Sequence, residues 1–442
     1  MHKFVITGAS LALLICSVFL ASAPPTQARR NQTNCADGLQ PGGARYRICL
    51  PTGSPAGAWN GDLVLYAHGY VPAENSLSLP GEASSMSGPL LEQGYAFGIT
   101  SYRANGLAVL PAQEDLLELV DLFTQQHGAP KRIFLIGASE GGLITTLAVE
   151  NFPDVFAGGV AMCGPIGSFR DQINYFGDFR VVFDALFPGR IPPGAVNIPP
   201  QVRANWSEIY HTQVIPALTD PANRQKVLEL FAVTGAPFDP NSPYTIESTV
   251  RGVLGYNIFA TGDASEKLGG QPFDNHDRHY TGSSDDERLN QAVERFTPSP
   301  DVIEAMRAYE TTGKLQVPLV TIHTTGDEIV PGWHQPRYAE KVEQAGASAL
   351  LKSITIERYG HCDFRGEEIL GAFQQMVAMV DESLVIAIEA LPTATPAMVQ
   401  PSATPYLSPT VDKPVDNRPP VEQPDAPRGF FQRFWDWLTG LI

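Results

Sequence analysis

The chain has 442 residues, of which 43% are hydrophobic, 9% aromatic and 17% charged. That hydrophobic share excludes disorder throughout and a many-span membrane protein, while the length allows about three domains or one large α/β domain with an insertion. Forty-seven acidic against 30 basic residues leave a net charge of -17, which repels phosphate backbones, so no nucleic-acid partner is expected and acidic lipid headgroups are disfavoured.

In chain order, the first segment reads as an export signal. His2 and Lys3 precede an apolar run from Phe4 to Ala23, and small residues follow at Ala21-Ser22-Ala23 and Thr26-Gln27-Ala28. Residues 1–28 are therefore expected to be a cleaved signal peptide, with a retained anchor as the alternative. Cleavage removes Lys3 and Cys16, which takes the charge to -18 (-17 minus 1) and leaves Cys35, Cys49, Cys163 and Cys362. An even set of cysteines in an exported chain predicts disulfides. The expected location is secreted or cell-surface associated.

Short apolar runs then alternate with amphipathic ones. Strands are predicted at Arg45–Leu50, Leu63–Ala67, Phe97–Thr100, Ile133–Ile136, Gly159–Met162, Leu319–His323 and Ser353–Glu357. Helices are predicted at Glu114–Gln126, Leu143–Val149 and Val342–Leu351. Apolar strands separated by helices imply an α/β fold, with a mostly parallel central sheet covered on both faces. The core is read as residues 29–164 and 314–390. Between them, 165–313 is rich in Pro, Gly and aromatics, with helix-like pieces at Gln225–Val233 and Arg288–Phe296, and is read as a large inserted cap. Its Tyr175, Phe176, Phe179 and Phe183 could line a substrate pocket or simply be cap core.

From 391 to 428 the composition changes again. Ten of the 38 prolines fall there, which predicts an extended Pro/Thr-rich linker. Residues 429–442 place Phe430, Phe434 and Leu438 on one apolar helix face, in a segment too short to span a bilayer. Contact with a cell surface or membrane interface and folding back onto the core are both open for this tail.

The strongest chemical signal is Gly137-Ala138-Ser139-Glu140-Gly141, directly after a predicted strand and opening a predicted helix. A serine on such a turn projects its hydroxyl above the sheet edge, and the glycines avoid clashes with neighbouring elements. With the order serine, acid, histidine, the acid is expected at Asp327, in Thr325-Gly326-Asp327-Glu328-Ile329-Val330-Pro331, on the loop ending a strand. His323 precedes that acid and His334 follows it too closely. His361, in Tyr359-Gly360-His361-Cys362, is left as the base. Oxyanion donors are expected from the amides of Glu140 and, after His68-Gly69, of Tyr70.

Together Gly137–Gly141, His68-Gly69, Gly326-Asp327 and Gly360-His361 resemble the α/β-hydrolase superfamily over roughly residues 45–387, cap excluded. Within it the chain resembles secreted bacterial serine esterases and the catalytic domains of prolyl-oligopeptidase-like peptidases. No propeller-sized segment precedes the core here, which counts against an oligopeptidase of that architecture. In tannase and feruloyl-esterase relatives, a cysteine after the catalytic histidine pairs with one just before the nucleophile. Position 138 is Ala, so the resemblance points instead to Cys163–Cys362, leaving Cys35–Cys49. Three connectivities and a free, buried Cys163 stay open.

Asp274-Asn275-His276-Asp277-Arg278-His279 with Asp285, Asp286 and Glu287 matches neither a zinc spacing nor a calcium loop and is read as a solvated polar loop. With no phosphate loop and no dinucleotide fingerprint, neither a cofactor nor a metal is expected. The resulting expectation is a serine hydrolase acting on small-molecule or polymeric esters. A peptidase with the same triad is the alternative, and a surface-attached binding protein on a hydrolase scaffold comes third.

Overall fold

The computed structural model describes residues 34–52, 59–81 and 83–389; the export-signal segment, the proline-rich stretch and the aromatic tail lie outside the described residues. Eight strands form one sheet: β1 (Asn34–Leu39), β2 (Arg45–Leu50), β3 (Asp62–Ala67), β4 (Ala96–Thr100), β5 (Arg132–Ala138), β6 (Gly158–Met162), β7 (Leu319–Gly326) and β8 (Leu351–Tyr359). Their spatial order is β1-β2-β4-β3-β5-β6-β7-β8. β1 and β2 run antiparallel, and all pairs from β4 through β8 are parallel. This is the mostly parallel, doubly covered sheet of an α/β-hydrolase fold.

The helices before the insertion are α1 (Ala83–Glu92), α2 (Val109–His127) and α3 (Glu140–Asn151). Between β6 and β7 lie α4 (Phe169–Leu186), α5 (Pro200–Ala204), α6 (Trp206–Ile209), α7 (Ile215–Thr219), α8 (Arg224–Thr234), α9 (Tyr244–Leu268), α10 (Asp286–Ala292) and α11 (Pro300–Met306). α12 (His334–Gln344) separates β7 from β8, and α13 (Gly366–Glu389) follows β8.

β3 shows why its stretch of sequence becomes an inner strand. Leu63, Leu65 and Ala67 join one core cluster with Leu116, Leu119 and Phe123 of α2 and Leu143, Ile144 and Leu147 of α3. The alternate residues, Val64 and Tyr66, join a second cluster with Phe373, Met376 and Val380 of α13. Side chains alternate across a strand, so covering both faces requires a continuous apolar run. Each fully buried aliphatic side chain contributes about 1.5–3 kcal/mol.

Three departures from the sequence expectations have physical causes. β1 went unread because Asn34-Cys35-Ala36-Asp37-Gly38-Leu39 is polar and largely exposed; it is held at the edge by pairing with β2 in the register Cys35↔Cys49. The helix expected at Val342–Leu351 lies earlier, at His334–Gln344. It buries Tyr338 and Val342, after which Gly346 at φ +74° turns the chain and Leu351 already belongs to β8. The helix expected at Arg288–Phe296 ends at Ala292, the Val293 backbone being extended.

The stretch between β6 and β7 is helical, and its 25-residue α9 packs along α4. Arg180 of α4, fully buried, donates to Asp184, to the Pro192 carbonyl at 2.8 Å and to Asn257 of α9 at 3.4 Å. α9 is fastened to the loop before α2 at two points. Asp263 accepts the Leu107 amide at 2.5 Å, and Lys267 donates to the Asn105 carbonyl. This places Tyr256, on the same helix, beside Tyr70 and Phe176, with ring centroids 5.9 and 5.3 Å apart.

Candidate active site

Ser139, Asp327 and His361 stand at the carboxyl ends of β5, β7 and β8, so the sheet itself brings them together. Ser139 takes φ 58° and ψ -124°, a conformation few L-residues adopt. The turn is held by its amide, which donates to the Met162 carbonyl at 2.9 Å, and by the Gly142 amide donating to its carbonyl at 2.8 Å. Glycine is required on both sides. A Cβ at 137 would stand 2.0 Å from the Gly141 carbonyl oxygen, and one at 141 would stand 2.0 Å from that of Ala67.

His361 Nε2 lies 2.8 Å from Ser139 Oγ, and its Nδ1 lies 2.9 and 2.8 Å from the two oxygens of Asp327. A carboxylate only accepts, so Nδ1 carries the proton and Nε2 is left to accept from the serine hydroxyl. Asp327 is wholly buried; its Oδ1 also accepts the amides of Ile329 and Val330 at 3.0 and 2.8 Å. Burial alone would make His361 less basic, but the charge and hydrogen bond of Asp327, with the charge of Glu328, carry its pKa above the ordinary histidine value.

The histidine loop is joined to the acid strand. The Gly360 amide donates to the Gly326 carbonyl at 3.1 Å, and the Thr324 hydroxyl donates to the Gly360 carbonyl at 2.7 Å. The insertion braces the acid loop from the other side. Tyr175 Oη donates to the Glu328 carbonyl at 2.8 Å and Gln172 Nε2 to the Ile329 carbonyl at 2.9 Å. Cys163, the residue after β6, is bonded to Cys362 beside the histidine, and Cys35 is bonded to Cys49 across β1 and β2.

Gly69 runs alongside the serine: a Cβ there would meet Ser139 Cβ at 3.1 Å and Oγ at 3.6 Å. The amide of Tyr70 follows it in the chain, and Glu140 opens α3. The Glu140 side chain turns inward, where Oε1 accepts the Ala108 amide at 3.0 Å and burial raises its pKa to about 8. His68 is buried against Tyr102, ring centroids 4.0 Å apart, and burial lowers its pKa to about 4.

The other sequence candidates are distributed as follows. Tyr175 and Phe176 reach the acid loop and Tyr256, whereas Phe179 and Phe183 are fully buried and pack on Phe231 and Phe187. In the polar loop, Asp274 pairs with Arg170, Arg278 pairs with Asp178, and Asp285 caps α10 through the Arg288 amide. Asp274, Arg278 and Asp285 thus serve local packing and capping, while His276 and Asp277 are exposed. His334 opens α12 and receives the Gly167 amide on Nδ1 at 3.0 Å. His323 shares the acid, its Nε2 donating to the Val330 carbonyl at 2.7 Å and lying 3.5 Å from Asp327 Oδ2. A cavity of about 590 Å³ is lined by His323, Thr325, Pro331, Trp333 and Thr355, and by none of Ser139, Asp327 and His361.

Sequence reasoning did not single out the side chains of Glu140, Glu328 and Tyr256. The two glutamates directly follow the serine and the acid, inside otherwise apolar or glycine-rich strings; a carboxyl in such a string was the available signal. For Tyr256 the signal was weak, because Gly252, Gly255 and Gly262 dilute the helical pattern of α9.

Residues 92–176, a stretch that includes Ser139, match the prolyl oligopeptidase family. No curated protein matches the chain. Among solved structures, the Pyrococcus furiosus esterase Pf2001 is 12% identical with a TM-score of 0.40, over 79% of this chain and 91% of that one. The mouse α/β hydrolase domain-containing protein 10 is 14% identical with a TM-score of 0.37, over 79% and 99%. The Pyrococcus horikoshii acylaminoacyl peptidase is 12% identical with a TM-score of 0.37, over 83% of this chain and 43% of the peptidase, so the chain spans less than half that enzyme's length.

Proposed function

We propose that this chain, a member of the α/β-hydrolase superfamily with a prolyl-oligopeptidase-like core, is an exported serine hydrolase that cleaves carboxylic esters through an acyl-enzyme. The observation that carries this reading is the continuous hydrogen-bond relay from Ser139 Oγ through His361 to the buried Asp327.

In this reading His361 Nε2 takes the serine proton as Oγ attacks the acyl carbon, then returns it to the departing alcohol. Asp327 holds the Nδ1–H tautomer and stabilises the imidazolium that forms. The amides of Tyr70 and Glu140 receive the oxyanion. Water, deprotonated by the same imidazole, then releases the acyl group. The half-buried Tyr256 and Tyr70, with Phe176, supply an aromatic wall beside the serine.

Esters are preferred over peptides on two grounds: an alkoxide leaves more readily than an amine, and two acids near the serine, Glu140 and Asp263, are already engaged. Glu140 holds the Ala108 amide, and Asp263 holds the Leu107 amide and Lys267. Neither is free to receive a substrate ammonium group. The match of residues 92–176 to the prolyl oligopeptidase family favours a second reading, a peptidase using the same three residues. Two cystines support export to an oxidising compartment.

Hydrolysis of a nitrophenyl ester series beside peptide anilides tests both readings. Ester turnover that disappears in Ser139→Ala, together with fluorophosphonate labelling of Ser139 in the unaltered protein, is the expected result. Anilide turnover with little ester activity would transfer the assignment to the peptidase. Activity that persists in Ser139→Ala would end both.

A further inference from the structure

One buried acid beside the triad has no role in the relay just described. Glu328 follows Asp327 directly, is only 8% exposed, and its Oε2 has no hydrogen-bond partner among the described residues. Its backbone cannot shift freely. Tyr175 of α4 holds its carbonyl, Gln172 holds the next one, and the two following amides are bound to Asp327 Oδ1. On the α9 side there is no spare space either: a Cβ at Gly252 would lie 2.6 Å from Ile329 Cδ1 and 4.0 Å from Glu328 Cγ. The side chain is therefore confined beside the acid loop and largely shielded from solvent.

A buried carboxyl oxygen left without a partner costs stability, and the groups around the carboxyl show what it acts on. Its ionised form is stabilised by the charge of His361 and by the backbone amides of Glu328 and His361, and opposed by burial and by Asp327. The groups that face it are Asp327 on its own loop, His361 on the histidine loop, Tyr359 of β8, Tyr256 of α9 and, through its carbonyl, Tyr175 of α4.

We propose that Glu328 is a positioning residue for His361: its confined carboxyl acts as a support for the histidine loop and as a second negative charge behind the imidazole. The proposal rests on the serine-hydrolase reading of the site. Burial, followed by the charge of Asp327, raises the Glu328 pKa to about 7, so the side chain is ionised in mildly alkaline solution and neutral in mildly acidic solution. When ionised it adds to Asp327 in favouring the protonated imidazole.

Glu328→Gln keeps the volume and an oxygen for the amide but removes the charge. With the charge gone, His361 becomes a weaker base, and the acid limb of kcat/KM moves to lower pH by about half a unit. The rate of fluorophosphonate inactivation at Ser139 shifts by the same amount. Glu328→Ala also removes the acceptor and lowers kcat about tenfold with KM little changed, while the Gln variant retains most of the plateau kcat. A Gln profile superimposable on that of the unaltered protein would overturn the proposal. If the Ala variant does not fold, the Gln profile alone decides. Failure of the fluorophosphonate to label Ser139 in the unaltered protein would instead remove the hydrolase reading, and this proposal with it.

Discussion

Two residues show how backbone strain and buried charge are arranged around the serine. Ser139 holds a positive φ at a cost of about 1–3 kcal/mol, which the surrounding hydrogen bonds and the close-packed glycines over-determine. Glu140, next to it, is neutral in the folded protein up to about pH 8, whereas the unfolded chain ionises it near 4.5. A folded pKa raised in this way gives stability that is complete below 4.5 and is lost as pH rises through 8. Glu140→Gln should therefore melt like the unaltered protein at pH 4.5 and gain relative stability by pH 8, as read from Tm in two buffers. A constant difference across that range would mean that Glu140 is ionised in the fold. His361, more basic than an ordinary histidine, should set an acid limb of kcat/KM above pH 6.5. A limb below that value would show that Asp327 does not reach it in solution. Ser139, Asp327 and His361 could be picked from the sequence because their chain order and glycine neighbours are local signals. The inward turn of Glu140 was not readable, because its acceptor role depends on the Ala108 amide, 32 positions away.

At the scale of elements, the β5–α3 junction is the least tolerant part of the fold. A methyl group at position 141 would overlap the Ala67 carbonyl, at the end of β3, at a distance no neighbouring side-chain motion can relieve. Gly141→Ala is expected to cost about 3 kcal/mol or more, measured as a fall in Tm with loss of hydrolytic turnover. An unchanged Tm would mean that α3 can shift away from β3. The inner strands were legible because covering on both faces demands an apolar run, which the eye finds easily. α9 was not, since its three glycines lower intrinsic propensity and its burial against α4 and the loop before α2 supplies what propensity lacks.

For the whole molecule, the two cystines have different expected consequences. Cys35–Cys49 joins adjacent strands 14 positions apart, with β4 and β3 between them and the serine strand β5. Its double serine variant should lose about 3 kcal/mol of stability while kcat stays near that of the unaltered protein. Cys163–Cys362 spans 199 positions and ties β6 to the residue beside His361. Its double serine variant should lose kcat as well as stability, checked by assaying each variant well below its Tm. Equal kcat in both would show that the bonds from Gly326 and Thr324 to Gly360 hold the histidine loop without the cystine. Sequence by itself determined the α/β class and the strands from β2 to β8, and it picked out a serine, an acid and a histidine that the fold brings together, because these rest on periodicity and on short-range turn chemistry. Only the tertiary structure decided which cysteines meet, where α9 lies, and that Glu140 and Glu328 are enclosed beside the triad. Those outcomes depend on the burial of groups far apart in the chain, and burial is set by the packing of the whole rather than by any local run of residues.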